Sequence, residues 1–173
     1  LNAGVLELGS SDAIGSTGTV DFDGGVLRYT ADNTTDYSAR LTTDSNTPFK
    51  IDTNGQDISF ANTLASSSGS LTKLGAGTLT LSDATYSGAT IIDAGRLVLK
   101  SDTASFTSSG FSGAGILAIE PVANDFSSPV TLSNTEFNAL GGVALGKSGN
   151  QTEIVVNTDI ALDGSLEIYG PLS

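Results

Sequence analysis

Gly77-Thr78-Leu79-Thr80-Leu81 is followed, one short interval later, by Gly95-Arg96-Leu97-Val98-Leu99, and this pair decides how the chain folds. Each copy reads glycine, any residue, aliphatic, any residue, apolar. Side chains alternate faces along a strand, so the third and fifth positions share one face while the second and fourth share the other. The frame recurs as Gly4-Val5-Leu6-Glu7-Leu8, Gly18-Thr19-Val20-Asp21-Phe22 and Gly25-Val26-Leu27-Arg28-Tyr29. It returns as Gly115-Ile116-Leu117-Ala118-Ile119 and Gly164-Ser165-Leu166-Glu167-Ile168, while Gly69-Ser70-Leu71-Thr72-Lys73 keeps half of it. The inward set is Leu, Ile, Val, Phe and Tyr; the outward set includes Glu7, Asp21, Arg28, Thr78, Thr80, Arg96 and Glu167. No window sustains apolar residues three and four apart, so no significant helix is expected. A glycine ahead of each strand suits a turn with positive φ.

The spacing selects an architecture. Gly4 to Gly25, Gly77 to Gly95 and Gly95 to Gly115 are all intervals of about 20 residues, a length that marks a repeat. The longer gaps hold further strand candidates at Phe49-Lys50-Ile51, Ile58-Ser59-Phe60, Val130-Thr131-Leu132 and Glu153-Ile154-Val155-Val156. Such a period, with several short strands in each, fits one coil of a parallel β-solenoid. The expectation is an all-β, right-handed parallel β-helix of about eight coils, a rod about 40 Å long at one strand spacing per coil. A β-sandwich is the alternative, with Asp23-Gly24, Asn54-Gly55 and Asp163-Gly164 as hairpin turns.

Composition narrows the chemistry. The 173 residues carry 7 Lys+Arg against 19 Asp+Glu, a formal net charge of -12, and contain no His, Cys, Met or Trp. Ser-His-Asp and Cys-His nucleophile arrangements are thereby excluded, as are thiolate and imidazole metal sites. The acidic balance argues against nucleic acid as a partner. No apolar run approaches the roughly 20 residues of a membrane-spanning helix.

Residues 71 to 99 carry a resemblance. Leu71-Thr72-Lys73-Leu74-Gly75-Ala76-Gly77-Thr78-Leu79-Thr80-Leu81-Ser82, then Tyr86-Ser87-Gly88-Ala89-Thr90, then Asp93-Ala94-Gly95-Arg96-Leu97-Val98-Leu99 closely resembles the passenger-associated repeat of bacterial autotransporters. Asn2 to Leu8 looks like the tail of a preceding copy. Asp83 stands where that repeat usually has Gly, and Ile91-Ile92-Asp93 replaces a commoner Val-Asn. Residues 120 to 173 match poorly, but Gly146-Lys147-Ser148-Gly149-Asn150 and the run to Gly170 resemble haemagglutinin-like exoproteins. The chain is accordingly read as a single solenoid segment, 1–173, of a longer protein, with 1–119 like the autotransporter repeat and 120–173 haemagglutinin-like. The resemblance implies a secreted or surface-exposed, type V-exported adhesin of a Gram-negative bacterium, not an enzyme. It assigns no catalytic, cofactor-binding or metal residue. Implied partners are a host or abiotic surface, a glycan or a second copy of the chain stacked head to tail. The alternatives are a self-assembling extracellular filament subunit and a polysaccharide-active β-helix domain.

Four local patterns suggest chemistry. Asp21-Phe22-Asp23 puts two carboxylates about 6.6 Å apart on one strand face, within the range of inverting glycosidases, yet a solvated acidic rim has the same letters. Gly141 to Ser148 spells G-x-x-x-x-G-K-S, but the β-branched run Ile154-Val155-Val156 follows where a phosphate loop needs a helix. Asp- and Asn-rich turns offer oxygen ligands that suit calcium, without an EF-hand or a glycine-aspartate nonapeptide. Thr78 and Thr80 do not start a regular threonine array, because Arg96/Val98 and Ile116/Ala118 take the matching positions. Asn33 is read as a turn residue.

Overall fold

The computed structural model describes residues 1–102, 110–132, 137, 140–156, 162 and 164–172. The strands are β1 (Val5–Glu7), β2 (Val26–Arg28), β3 (Pro48–Asp52), β4 (Ile58–Phe60), β5 (Ser70–Leu74), β6 (Thr78–Leu81) and β7 (Thr90–Ile92). They continue as β8 (Arg96–Lys100), β9 (Phe111–Glu120), β10 (Val130–Leu132), β11 (Leu140–Leu145), β12 (Ile154–Val156) and β13 (Ser165–Ile168). Among the described residues the helical content is one 3-10 turn, Ser38–Arg40.

The chain winds into a parallel β-solenoid of about seven turns, close to the eight expected. One face stacks β1, β2, β3, β5, β7 and the start of β9; a second stacks β4, β6, β8, the end of β9, β11 and β13. A third side is short, with β10 on β12 and the bridges Val20 to Leu41 and Leu64 to Ala84. Each strand pairs with its equivalent one coil away, in parallel. Leu79 lies opposite Leu97, whereas Leu117 lies opposite Val143, a partner further along the chain, so the corners absorb the variation in coil length.

The sandwich alternative fails on this topology. Every strand ladder among the described residues is parallel, and a sandwich needs hairpins. Asn54 and Gly55 do adopt the left-handed turn expected of a hairpin, at φ 48° and 85°. The strands they join, β3 and β4, lie on different faces and pair with β5 and β6 instead. Asp23-Gly24 likewise leads into the next coil. Asp163 lies outside the described residues.

Alternation places the core as expected. Ile58, Leu79, Leu97, Leu117 and Val143 form one continuous inward ladder, and Phe60, Leu81, Leu99, Ile119 and Leu145 form its neighbour. All ten are buried. Aromatic rings fill the wider coils near the start, where Phe22 meets Phe49 edge-on at 5.7 Å and Tyr29 tilts against Phe60 at 6.4 Å. Among the described residues the alternation is broken in both directions: Val98, Ala118 and Ala144 occupy outward positions of consecutive coils and are nevertheless buried, as is outward Asp52, whereas Leu166, expected to face inward, is exposed on the last strand.

The glycines divide into two kinds, which corrects the uniform expectation of positive φ. Gly77 and Gly95 sit at φ 85° and 69°, as a tight corner requires. Gly164 precedes its strand without a positive φ; an added Cβ would collide with the carbonyl oxygen of Gly141, so close approach of coils is what demands it. Gly95 combines both constraints, since its added Cβ would run into the Gly77 oxygen. Gly95→Ala is therefore expected to destabilise by roughly 2 to 4 kcal/mol, whereas Gly4→Ala, strained at φ 74° but in open space, costs about 1 kcal/mol. Denaturant midpoints of the two variants check this.

Candidate functional site

Two places collect polar chemistry: an acidic cleft on the surface and a buried ammonium at a corner. The cleft has a volume of about 540 Å³ and is walled by two successive coils. Asp21, Phe22 and Asp23 form one wall just after the bridge residue Val20; Thr42 and Asp44 to Pro48 form the other just after Leu41. Phe22 is buried beneath it. The second wall is pinned, because the Asp44 carbonyl accepts hydrogen bonds from Thr47 Oγ1 at 2.9 Å and Ser66 Oγ at 2.5 Å. The structure thus brings both carboxylates singled out in the sequence to the rim of one cleft and adds a third, Asp44, from the following coil. No ion pair reaches these three among the described residues. The arrangement offers carboxylates, hydroxyls and amides to a hydroxyl-rich ligand.

The phosphate-loop lookalike resolves into strand and turn. Gly141 to Leu145 lie within β11, and Gly146 to Gly149 turn towards β12 with Gly146 at φ 75° and Gly149 at φ 96°. No helix follows in the described residues, so no amide cluster faces an anion there. Asn150 closes the turn from inside, donating from Nδ2 to the carbonyls of Thr152 (3.0 Å) and Tyr169 (2.9 Å). Among the described residues no group of three or more acidic side chains is arranged to hold a metal ion. The threonine pair behaves as its spacing implied: Thr78 faces Arg96 and Thr80 faces Val98. Asn33 is a turn residue and a buried one, accepting from the Thr35 amide and donating to the Ser10 carbonyl and the Tyr37 hydroxyl.

Charge is distributed unevenly. Arg28 bonds Asp52 at 2.8 Å and lies 3.7 Å from Glu7, so these three register partners form an ionic ladder across β1, β2 and β3. Lys100 and Arg96 both face Glu120, at 2.7 and 4.0 Å. Arg40 spends its guanidinium on the carbonyls of Ile14, Gly15, Thr17 and Gly18, holding that loop to the coil beneath it, and lies over the Tyr37 ring. With most cations engaged in this way, the remaining carboxylates leave the outer surface strongly negative.

Lys73 is the residue that reading the sequence for chemistry passed over. It occupies the fifth, inward position of its frame, in a ladder running Leu6, Leu27, Ile51, Lys73, Ile92. Its side chain is fully buried, and its ammonium donates to the carbonyls of Leu74 (3.0 Å), Gly75 (2.6 Å) and Ala94 (3.1 Å). The signal was present, since a lysine at an apolar frame position is a local contradiction. Burial pushes its pKa down from 10.5 to about 8, against the opposing pull of Asp52 and Asp93.

With this geometry in place, one part of the chain can be related to a known family. Residues 71–99 match the family model of the passenger-associated-transport-repeat. That span runs from Leu71 on β5 to Leu99 on β8, and so covers two successive coils across both long faces. The chain is a parallel β-solenoid carrying an autotransporter-type passenger repeat. No curated protein and no solved structure matches it.

The pH dependence of stability follows from Lys73. Below pH 8 the lysine is charged whether the chain is folded or not. Between about 8 and 10.5 the folded chain has lost that proton and the unfolded chain keeps it, so stability rises with pH. Burial raises the Tyr29 and Tyr86 phenols, which works in the opposite direction above pH 10, once unfolded phenols ionise. Urea unfolding at pH 7.5 and 9.5 should show a gain of roughly 1 to 2 kcal/mol in the native chain that Lys73→Met lacks.

Proposed function

We propose that this chain is a structural stretch of the rod of an exported bacterial passenger, serving attachment or extracellular scaffolding. The observation that carries the reading is the passenger-associated repeat at residues 71–99, lying in register within a continuous solenoid. A solenoid extends by one strand spacing per coil, so length is its principal output. The chemistry is mechanical and spatial. Apolar ladders stiffen the rod, and the acidic exterior keeps it dispersed. Export in an unfolded state, with coils then stacking outside the cell, accords with the parallel architecture, in which each coil needs only its predecessor as a template. Its partner would be a host or abiotic surface, a glycan or a second copy of the chain.

A polysaccharide-active role is the second reading, favoured by one observation: Asp21 and Asp23 share the rim of the cleft with Asp44. The cleft then serves to seat a sugar chain along the rod.

Protease shaving of intact producer cells, followed by antibody detection, tests the rod reading. The chain should be cleaved from outside, and deletion of its gene should lower surface attachment. Protection from external protease, or attachment unchanged by deletion, would count against it. Incubation with acidic glycans tests the second reading: release of new reducing or unsaturated ends, abolished by Asp21→Asn with Asp23→Asn, would move it ahead.

A further inference from the structure

Alternation leaves one folding error open in the passenger repeat. A one-residue slip between coils turns every apolar side chain outward and is strongly excluded. A two-residue slip is different. In the native register Leu79 and Leu81 lie opposite Leu97 and Leu99. Shifted by two, leucine still meets leucine at the overlap, and the apolar ladder loses little. Burial of apolar surface, which is non-directional, discriminates weakly between these pairings.

Lys73 discriminates. Its ammonium ties the Leu74-Gly75 corner of its own coil to the Ala94 corner of the next. Those corners point carbonyls inward because Gly75 and Gly95 turn at φ 73° and 69°. A Cβ on Gly95 would lie 3.0 Å from Lys73 Nζ, so the corner closes tightly on the ammonium. A two-residue slip displaces the Ala94 carbonyl by about 6.6 Å along the strand, leaving a buried charge short of an acceptor. Asp52 on β3 and Asp93 just after β7 attract the ammonium charge, and Asp93 would be displaced with Ala94.

We propose that Lys73 is an internal register lock: the buried ammonium, held by inward carbonyls of two successive coils, selects the native stacking of β7 on β5 over the pairing displaced by two residues. It is a positioning residue whose output is the choice among pairings of similar apolar burial. The inference concerns this chain's own folding and stands whatever surface the rod addresses.

The chain has no cysteine, so introduced thiols report pairing without interference. Thr72 lies opposite Ile91 on the outer face of these strands. Thr72→Cys with Ile91→Cys reports the native register, and Thr72→Cys with Ala89→Cys or Asp93→Cys reports the two displaced ones. Each pair is refolded from denaturant at pH 7 and treated with a short thiol-to-thiol crosslinker. In the native background the Ile91 pair should dominate. In Lys73→Met the displaced share should rise by about tenfold, the ratio that one or two hydrogen bonds to a charged group supply. Lys73→Gln, which keeps donors without the charge, should fall between the two. An unchanged preference for the Ile91 pair in Lys73→Met overturns the proposal. So does a Lys73→Met chain that fails to fold while Lys73→Gln folds in the native register only, because the lysine would then supply stability and not selection.

Discussion

Everything in this molecule depends on one constraint: successive coils stack at a single strand spacing, with backbone hydrogen bonds running parallel to the rod. A residue therefore has its counterpart one coil away as its nearest neighbour, and it must tolerate that neighbour on both sides. Leucine above leucine satisfies this on the second face, where Leu79, Leu97 and Leu117 follow one another. The same constraint governs the backbone at the corners, where Gly77 and Gly95 must approach more closely than any Cβ allows. Loops bulge outward and vary in length because only the strands and corners are bound to the repeat.

Polar groups inside such a stack are costly unless bonded along the same axis. The chain meets this requirement in several forms. Lys73 reaches carbonyls of its own coil and of the next, Asn150 bonds the Tyr169 carbonyl one coil on, and Thr53 bonds those of Leu74 and Ala76. Each is a vertical tie between neighbouring coils. Outside, the Glu7, Arg28 and Asp52 ladder repeats the idea with charge, although its exposed end is worth little. Apolar stacking thus supplies the bulk of cohesion, and the directional bonds decide which coil meets which, and where.

The surface follows from this division of labour. Cations are drawn to carbonyls and to paired acids, so the remaining carboxylates, several of which accept backbone amides, carry no opposing charge. The acidic cleft is a consequence of winding: Asp21 and Asp23 come from one coil and Asp44 from the next, with the aromatic pair Phe22 and Phe49 packed beneath.

Much of the fold was legible in the residues alone. The Gly-x-apolar-x-apolar frame and its regular recurrence specified strand, face and parallel coil, because the period of side-chain alternation is a property of any extended backbone. The same letters place Thr80 opposite Val98. What they left open was whatever depends on contacts between coils. Asn54-Gly55 reads as a hairpin turn in sequence and becomes a corner in space, because the partner of β3 is β5. Gly164 reads as a turn glycine and is required by the carbonyl of Gly141. Asp44 joins Asp21 and Asp23 only because one turn of the solenoid brings positions distant in the chain to one rim. The frame recorded Lys73 as an imperfect copy, and only the stacked corners, with their carbonyls turned inward, made it a ligand for two coils at once. Local pattern determined which way each side chain points; the winding of the chain decided what it meets there.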